Sequence, residues 1–505
     1  MSEERQLDRS LVSGIAWTAV LRWPAHVISW IATAFAARIL APADYGIVAM
    51  AMIAIGLVRM VEDFGMDAVL VQDRTIVGEQ QARLAGLVLC LGAGLCGLFV
   101  VLAYPIAGFF DEPLVAPVVM ALSLLCVADA IQVVSRAGLQ RELKFARLAW
   151  AQFVQVVATQ SVLVVAVLLG WGVWALVVGT LCGALAVTLL LLGWHPYPIS
   201  WPRELSKLAR PLLQGWRILA SRFAYYAYTT ADQTVVGKLL GKDALGAYSF
   251  STSLSTAIST EFAAVVTRVV PGVFSDVQNN PTALRRYFLI LTELLAYLAL
   301  PTFGGLALTA DYVVDIVLGP QWEAVIVPLQ ILCLYSAYFT CQVLFGPMLT
   351  WTGQFRANMW CSILTGVALP VAFIVGIRWG LEGVAWAWAI GFPLANIPGM
   401  VLACRTARCS LGDWLSAIWP ASAACAVMAA AVVALRWLLP EDLGMPLAAS
   451  ASIATGCVVY SMSLRILFPA RVRAMTDFVR VLRAPREARN GVQGLAGAGR
   501  PIPPA

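Results

Sequence analysis

The sequence predicts an all-α polytopic membrane protein with about 14 transmembrane helices. Three observations carry that expectation. First, 60% of the 505 residues are apolar and 12% are charged, where soluble domains hold roughly 45–50% and ~25%. Mean hydropathy is +0.81, and a chain of this length cannot hide that much apolar surface from water. Second, the apolar residues form long runs rich in Ala, Leu and Val, such as Leu84 to Ala103 and Ser161 to Gly193. Barrel strands alternate apolar and polar residues over about ten positions. Long continuous runs satisfy their backbone groups in lipid only as helices. Third, one crossing takes about 20 residues, and the apolar total accommodates ten to fourteen of them. A soluble enzyme, a disordered chain and a secreted disulfide scaffold are excluded.

The elements follow in order. Residues 1–10 are a short charged terminus, expected in the cytoplasm. The apolar run after it, to about Ala37, is too long for a signal-peptide core and reads as an uncleaved first span. Further spans read at 46–66, 84–104, 114–135, 148–169, 172–193, 213–236, 244–267, 287–309, 324–350, 355–376, 380–402, 414–436 and 446–468. Within 148–193, the Gly170-Trp171-Gly172 turn is the only break that divides two spans. The tail, 469–505, is expected to be cytoplasmic. Its end is rich in Gly, Pro and Arg and is expected to be disordered.

Charge sets the orientation. With the N-terminus inside, 26 of the 34 Lys and Arg residues lie on the cytoplasmic side and five lie opposite, namely Arg38, Lys238, Lys242, Arg378 and Arg436. This asymmetry predicts that both termini are cytoplasmic. The net charge of +6 is thus a topology signal, and no basic face interleaved with aromatics points to nucleic acid. The eleven cysteines sit mostly inside apolar runs and form no C-x-x-C pair, so they read as small apolar side chains. With only His26 and His195 available, no metal centre is expected. Gly494 to Gly499 lacks the strand and helix of a phosphate loop. No cofactor is expected.

An internal repeat appears when the chain is shifted by 200 residues. Arg38-Ile39-Leu40 then aligns with Lys238-Leu239-Leu240, Gly46 with Gly246, Arg22 with Arg222 and His26 with Tyr226. The first span matches the seventh, so both copies point the same way. This predicts two parallel six-helix lobes, 11–193 and 213–402, joined by a linker at 194–212. Two extra helices follow at 414–468.

Ionisable groups in a span cost about 3 kcal/mol or more unless they meet a polar interior. On the first span Thr18, Arg22, His26, Ser29 and Thr33 share one helical stripe. On the seventh, Arg222, Tyr225, Tyr226, Thr229 and Gln233 do the same, with Asp232 at the edge. Span five carries Gln152, Gln155 and Thr159, and span eight is crowded with Ser and Thr up to Glu261. These stripes predict a hydrated central cavity lined by Arg22, His26, Ser29, Arg222, Tyr226, Thr229, Gln233, Gln152 and Gln155. Paired guanidinium forks suit a phosphate or diphosphate. The alternative for Arg22 and Arg222 is a structural interhelical ion pair. For Asp232, Glu261, Glu293 and Asp129 it is structural pairing or capping, and for the span-eight hydroxyls it is bonding to their own backbone. Asp63, Asp232 and Glu261 are candidate coupling-ion sites, since no nucleotide-binding motif occurs.

Particular stretches resemble a family. These are Ala37-Arg38-Ile39-Leu40-Ala41-Pro42-Ala43-Asp44-Tyr45-Gly46, Asp63-Phe64-Gly65, Ala68-Val69-Leu70-Val71-Gln72 and Gln140-Arg141-Glu142-Leu143-Lys144-Phe145. Asp232-Gln233, Gly237-Lys238-Leu239-Leu240-Gly241 and Leu245-Gly246-Ala247-Tyr248 continue the likeness. They resemble the polysaccharide-transport flippases of the multidrug/oligosaccharidyl-lipid/polysaccharide exporter superfamily. The resemblance implies a fourteen-helix, two-lobed protein of the bacterial inner membrane. It implies movement of a polyprenyl-diphosphate-linked oligosaccharide to the outer leaflet, for export of a lipopolysaccharide, exopolysaccharide or related glycan. Implied partners are the lipid-linked glycan, membrane lipids, and polysaccharide polymerase and assembly proteins. A multidrug cation antiporter of the same superfamily would call for acidic central residues. A polysaccharide polymerase or ligase would need a large outer loop, and none is present.

Overall fold

The computed structural model describes residues 2–63, 78–201, 226, 229–277, 280–440 and 444–483. The expected seventh span falls largely outside them, with Arg222 and Tyr225. So do the 64–77 stretch and the tail beyond 483. The side chain of Asp63 is also outside the described set.

No strand occurs among the described residues. The longer helices are α1 (Ser2–Ile39), α2 (Pro42–Asp63), α3 (Glu79–Phe110), α4 (Val115–Leu122), α5 (Leu124–Arg141), α6 (Phe145–Leu168) and α7 (Val173–Trp194). Then come α8 (Ala231–Val277), α9 (Pro281–Leu308), α10 (Ile326–Gln342), α11 (Phe345–Trp351) and α12 (Phe355–Gly376). The segment 380–406 is helical with a π turn at Ala387–Gly391, and α13 (Leu411–Leu438), α14 (Met445–Leu467) and α15 (Pro469–Arg483) complete the order. Among the described residues, nine helical stretches are long and apolar enough to cross a bilayer. The chain is a multi-pass, all-α membrane protein.

The chain forms two compact units. One comprises Met1–Phe250, Val317–Val325 and Phe373–Val384; the other comprises Ser251–Ile316, Ile326–Ala372 and Ala385–Ala505. In the first, Ala36 of α1 packs with Leu163, Ala166 and Val167 of α6 and Ala175 of α7. Leu84, Ala85 and Val88 of α3 meet Ala130, Val133, Val134 and Ala137 of α5. Small side chains recur because helices in lipid gain by close backbone approach, without a hydrophobic driving force between them. In the second unit Ala424, Met428 and Val432 of α13 pack on Tyr460 and Leu464 of α14. Here Glu293 accepts from Tyr297 (2.6 Å) and faces Arg471 (3.4 Å), and Asp311 pairs with Arg436. Glu293 is therefore paired on both sides.

Some local geometry recurs along the chain. The break between α1 and α2 lies at Leu40–Ala41, and α8 breaks at Gly241, whose φ is +84°. Lys144 N–H donates to Leu139 O (2.9 Å) after a left-handed Leu143, and Gln354 N–H donates to Leu349 O (2.8 Å) after a left-handed Gly353. The turn at 169–172 separates α6 from α7 as its glycines predict.

Two features were not anticipated. The helix of the fourth span is interrupted at Ser123, whose hydroxyl donates to Met120 O at 2.7 Å. A further helix, α15, opens the tail. Its Val472, Met475, Val479 and Leu482 recur at helical spacing, and Val472 packs against the α13–α14 cluster.

Candidate functional site

The first-span stripe lies on α1, which is packed along α6. Arg22 is half-buried and His26 exposed. The Arg22 Nε–H donates to His26 Nε2 at 3.3 Å, as a four-residue spacing on a helix allows. One turn on, Ser29 Oγ accepts from Gln160 Nε2 of α6 at 3.1 Å. Gln160 was missed in the sequence, because the 152–155–159 spacing drew attention to the neighbouring face. Its Oε1 is buried without a hydrogen-bond partner, which costs about 1–3 kcal/mol for such a group. Gln152 is exposed and Gln155 half-buried. Thr159 turns toward α7, where a Cβ on Gly183 would lie 1.9 Å from its Oγ1. Arg22–His26 and Ser29–Gln160 thus form a row of two hydrogen-bonded pairs along two helices.

The seventh-span residues behave differently. The Tyr226 hydroxyl donates to Ile53 O (3.0 Å) and Met52 O (3.3 Å) of α2. It sits in a notch at Gly56, where a Cβ would come within 2.2 Å of the oxygen. Thr229 Oγ1 donates to Tyr226 O at 3.2 Å. Asp232 is 1% exposed. Its carboxylate accepts from Tyr248 Oη (2.8 Å) and from the Gln233 backbone N–H (2.8 Å). Asp232 and Tyr248, quoted above for the family resemblance, bond each other and so clasp the two halves of α8 around Gly241. Gln233 is half-buried beside them.

The span-eight hydroxyls bond their own helix. Thr256 donates to Thr252 O (2.7 Å), Ser255 to Thr252 O (3.1 Å) and Ser259 to Ser255 O (3.3 Å). Glu261 is half-buried on the same helix. No cluster of metal-ligating side chains occurs among the described residues.

At one end of the first unit two ion pairs close together in sequence join α8 to the end of α3. Lys238 Nζ is 2.6 Å from Asp111 Oδ2, and Lys242 Nζ is 2.8 Å from Glu112 Oε2. The hydrogen bond to Glu112 holds the Lys242 ammonium above the ordinary lysine value. A raised lysine value means that the pair contributes fully at neutral pH and fades only above the alkaline lysine range.

Comparison with known proteins adds the family. Residues 35–327 match the family model described as polysaccharide biosynthesis protein. The chain is 25% identical over 406 residues to the lipopolysaccharide biosynthesis protein WzxC of Escherichia coli (strain K12), covering 78% of this chain and 80% of that one. It is 23% identical over 496 residues to the succinoglycan biosynthesis transport protein ExoT of Rhizobium meliloti (strain 1021), covering 96% and 98%. Among solved structures it is similar in fold to the lipid II flippase MurJ in an inward closed conformation, with a TM-score of 0.72 at 12% identity over 90% of this chain and 99% of that one. An inward-facing multidrug resistance MATE transporter of the MOP superfamily gives a TM-score of 0.60 at 15% identity, over 75% and 94%.

Proposed function

This chain belongs to the polysaccharide biosynthesis protein family, and from that premise we propose that it flips a polyprenyl-diphosphate-linked oligosaccharide across the bacterial inner membrane. Movement runs from the cytoplasmic to the outer leaflet by alternating access of two six-helix lobes, with both termini cytoplasmic. The observation that carries this reading is the likeness to a polysaccharide transport protein along 496 residues. The chemistry of α1 agrees with it. Arg22 supplies a planar donor fork suited to diphosphate oxygens. His26, Ser29 and Gln160 continue the polar row toward sugar hydroxyls. Arg222, at the matching repeat position, is the second diphosphate ligand. The protein acts as a carrier, not an enzyme, and a proton or Na⁺ gradient resets it, with Asp63 and Glu261 as coupling candidates. It hands its product to polysaccharide polymerase and assembly proteins.

The test is reconstitution of the purified full chain into vesicles holding a fluorescent polyprenyl-diphosphate-linked glycan. Membrane-impermeant quencher should reach nearly all of the label over time, against about half in protein-free vesicles. A label that stays half-protected contradicts the reading.

A further inference from the structure

The second unit carries an apolar groove of about 250 Å³, lined by Tyr338 of α10, Leu394, Ile397 and Met400 of the 380–406 segment, and Trp414 and Leu415 of α13. Leu394, Ile397 and Leu415 are exposed, which places the groove on a surface that meets lipid in a membrane-spanning chain. Packed rings form its floor. Trp414 lies 6.5 Å from Tyr338 and 5.5 Å from Phe345, and Tyr338 lies 6.3 Å from Phe392.

One wall holds a donor with nothing to bond. Trp414 is 3% exposed, yet its indole N–H is buried without a hydrogen-bond partner. An unpaired donor in an apolar wall is costly, and an acceptor arriving from outside the chain would relieve it. Trp414 comes four residues after Ser410, the N-cap of α13. That is the first turn of a crossing helix, at the interfacial depth where tryptophan is favoured and where the ester groups of a phospholipid lie.

The mouth of the groove is cationic. Arg405 and Arg408 are exposed, and neither side chain is paired among the described residues. Arg408 stands three residues before Leu411, which also lines the groove. The left-handed φ of Arg408, +51°, and the bond from Cys409 N–H to Cys404 O (2.9 Å) fix the turn between them. Gln354 Nε2 donates to Thr406 Oγ1 at 2.8 Å, which brings the exposed Arg356 to the same end. Asp413, the nearest carboxylate along the chain, is already taken by Arg285 (2.9 Å) and by the Ser410 N–H (2.8 Å).

An apolar trough, an unpaired donor and free guanidinium groups thus follow one another in the order of acyl chain, ester and phosphate. We propose that this groove binds one anionic diacyl phospholipid. An acyl chain fills the trough, the Trp414 N–H donates to an ester carbonyl, and Arg405 and Arg408 take the headgroup phosphate through their donor forks. A zwitterionic headgroup would bring a further cation to a mouth that is already cationic. On the orientation proposed above the lipid comes from the cytoplasmic leaflet. The site itself does not depend on the transport reading.

The test uses the full chain in detergent micelles with a phosphatidylglycerol that carries a photoactivatable diazirine on its acyl chain. Label in 393–415 reports the groove. Label in 367–374, an exposed stretch of α12, reports ordinary boundary lipid. Label should concentrate in 393–415 and be competed by unlabelled phosphatidylglycerol, but not by phosphatidylcholine or inorganic phosphate. The Arg405→Gln, Arg408→Gln variant should lose about tenfold in groove labelling, with 367–374 unchanged. Trp414→Phe keeps the ring, removes the N–H and should lower groove labelling a few-fold. Added phosphatidylglycerol should raise the melting temperature of the wild type and not that of the arginine variant. The arginine variant changes only exposed side chains, so it carries the test even where Trp414→Phe fails to fold. Equal labelling of the two stretches, equal competition by phosphatidylcholine, or an arginine variant labelled like the wild type overturns the proposal. Competition by inorganic phosphate would reveal a free-anion site, and preferential displacement by a polyprenyl phosphate would assign the groove to an isoprenoid chain. Either result also overturns it.

Discussion

On α1 the polar side chains bond other side chains, Arg22 to His26 and Gln160 to Ser29. Around the seventh span they bond backbone, Tyr226 to the α2 carbonyls and Asp232 to the Gln233 N–H as well as to Tyr248. The 200-residue shift matches His26 with Tyr226, yet one is exposed and the other fills a notch at Gly56. The two matched residues therefore bond differently. Side-chain pairs can be exchanged for ligand oxygens at little structural cost. Backbone-bonded groups hold the fold and are costly to disturb.

Substitutions can break or sharpen that contrast. The largest effect is expected at Arg22. Charge-assisted hydrogen bonds contribute roughly 1.5–3 kcal/mol, and each 1.4 kcal/mol is tenfold. Arg22→Ala should cut flipping by about ten- to a hundredfold while membrane levels stay near wild type. Lys there should recover part of the rate. Loss of the protein from the membrane would mean that α1 is structural after all, and the contrast would disappear.

Next comes Asp232. Ala leaves the buried Tyr248 hydroxyl and the Gln233 N–H without their partner, at about 1–3 kcal/mol each. Thermal stability in detergent should fall clearly. Asn keeps one oxygen to accept from the Gln233 N–H, and its NH2 can donate to the Tyr248 oxygen, which accepts as readily as it donates, so Asp232→Asn should remain stable and active. An Asn variant that is stable but inactive would instead make Asp232 a coupling-ion site, as one sequence reading held.

Tyr226→Phe removes one bifurcated hydrogen bond to α2 and should cost about 1 kcal/mol, read as a modest drop in melting temperature with transport retained. A strong transport defect at full stability would move Tyr226 to the ligand-binding side of the comparison. Ser29→Ala should be the mildest. It deprives Gln160 Nε2 of its acceptor in a half-buried site, so stability should change by less than about 1 kcal/mol and flipping by a few-fold.

The sequence made some of this visible and hid the rest for physical reasons. Hydropathy located α6, α7 and α12 nearly to the residue, because lipid imposes length and composition on each crossing. The stripe on α1 was readable because helical spacing fixes which face a residue shares. It could not say how deep a residue sits or what it meets. Tyr226 and Thr229 share a face with Gln233, but their partners are carbonyls that carry no sequence signal. Gln160 lies off the 152–155–159 face and its partner, the Ser29 hydroxyl, is 131 residues away, so no local spacing pointed to it. The amphipathic spacing of α15 was present in the sequence but overshadowed by the Gly- and Pro-rich residues after it.

The flippase account is tested most directly by the leaflet location of the lipid-linked glycan in cells lacking this chain. The glycan's accessibility to an externally added, membrane-impermeant modifying enzyme should fall sharply while total lipid-linked glycan rises, and the intact gene should restore both. Unchanged external accessibility in those cells would contradict it.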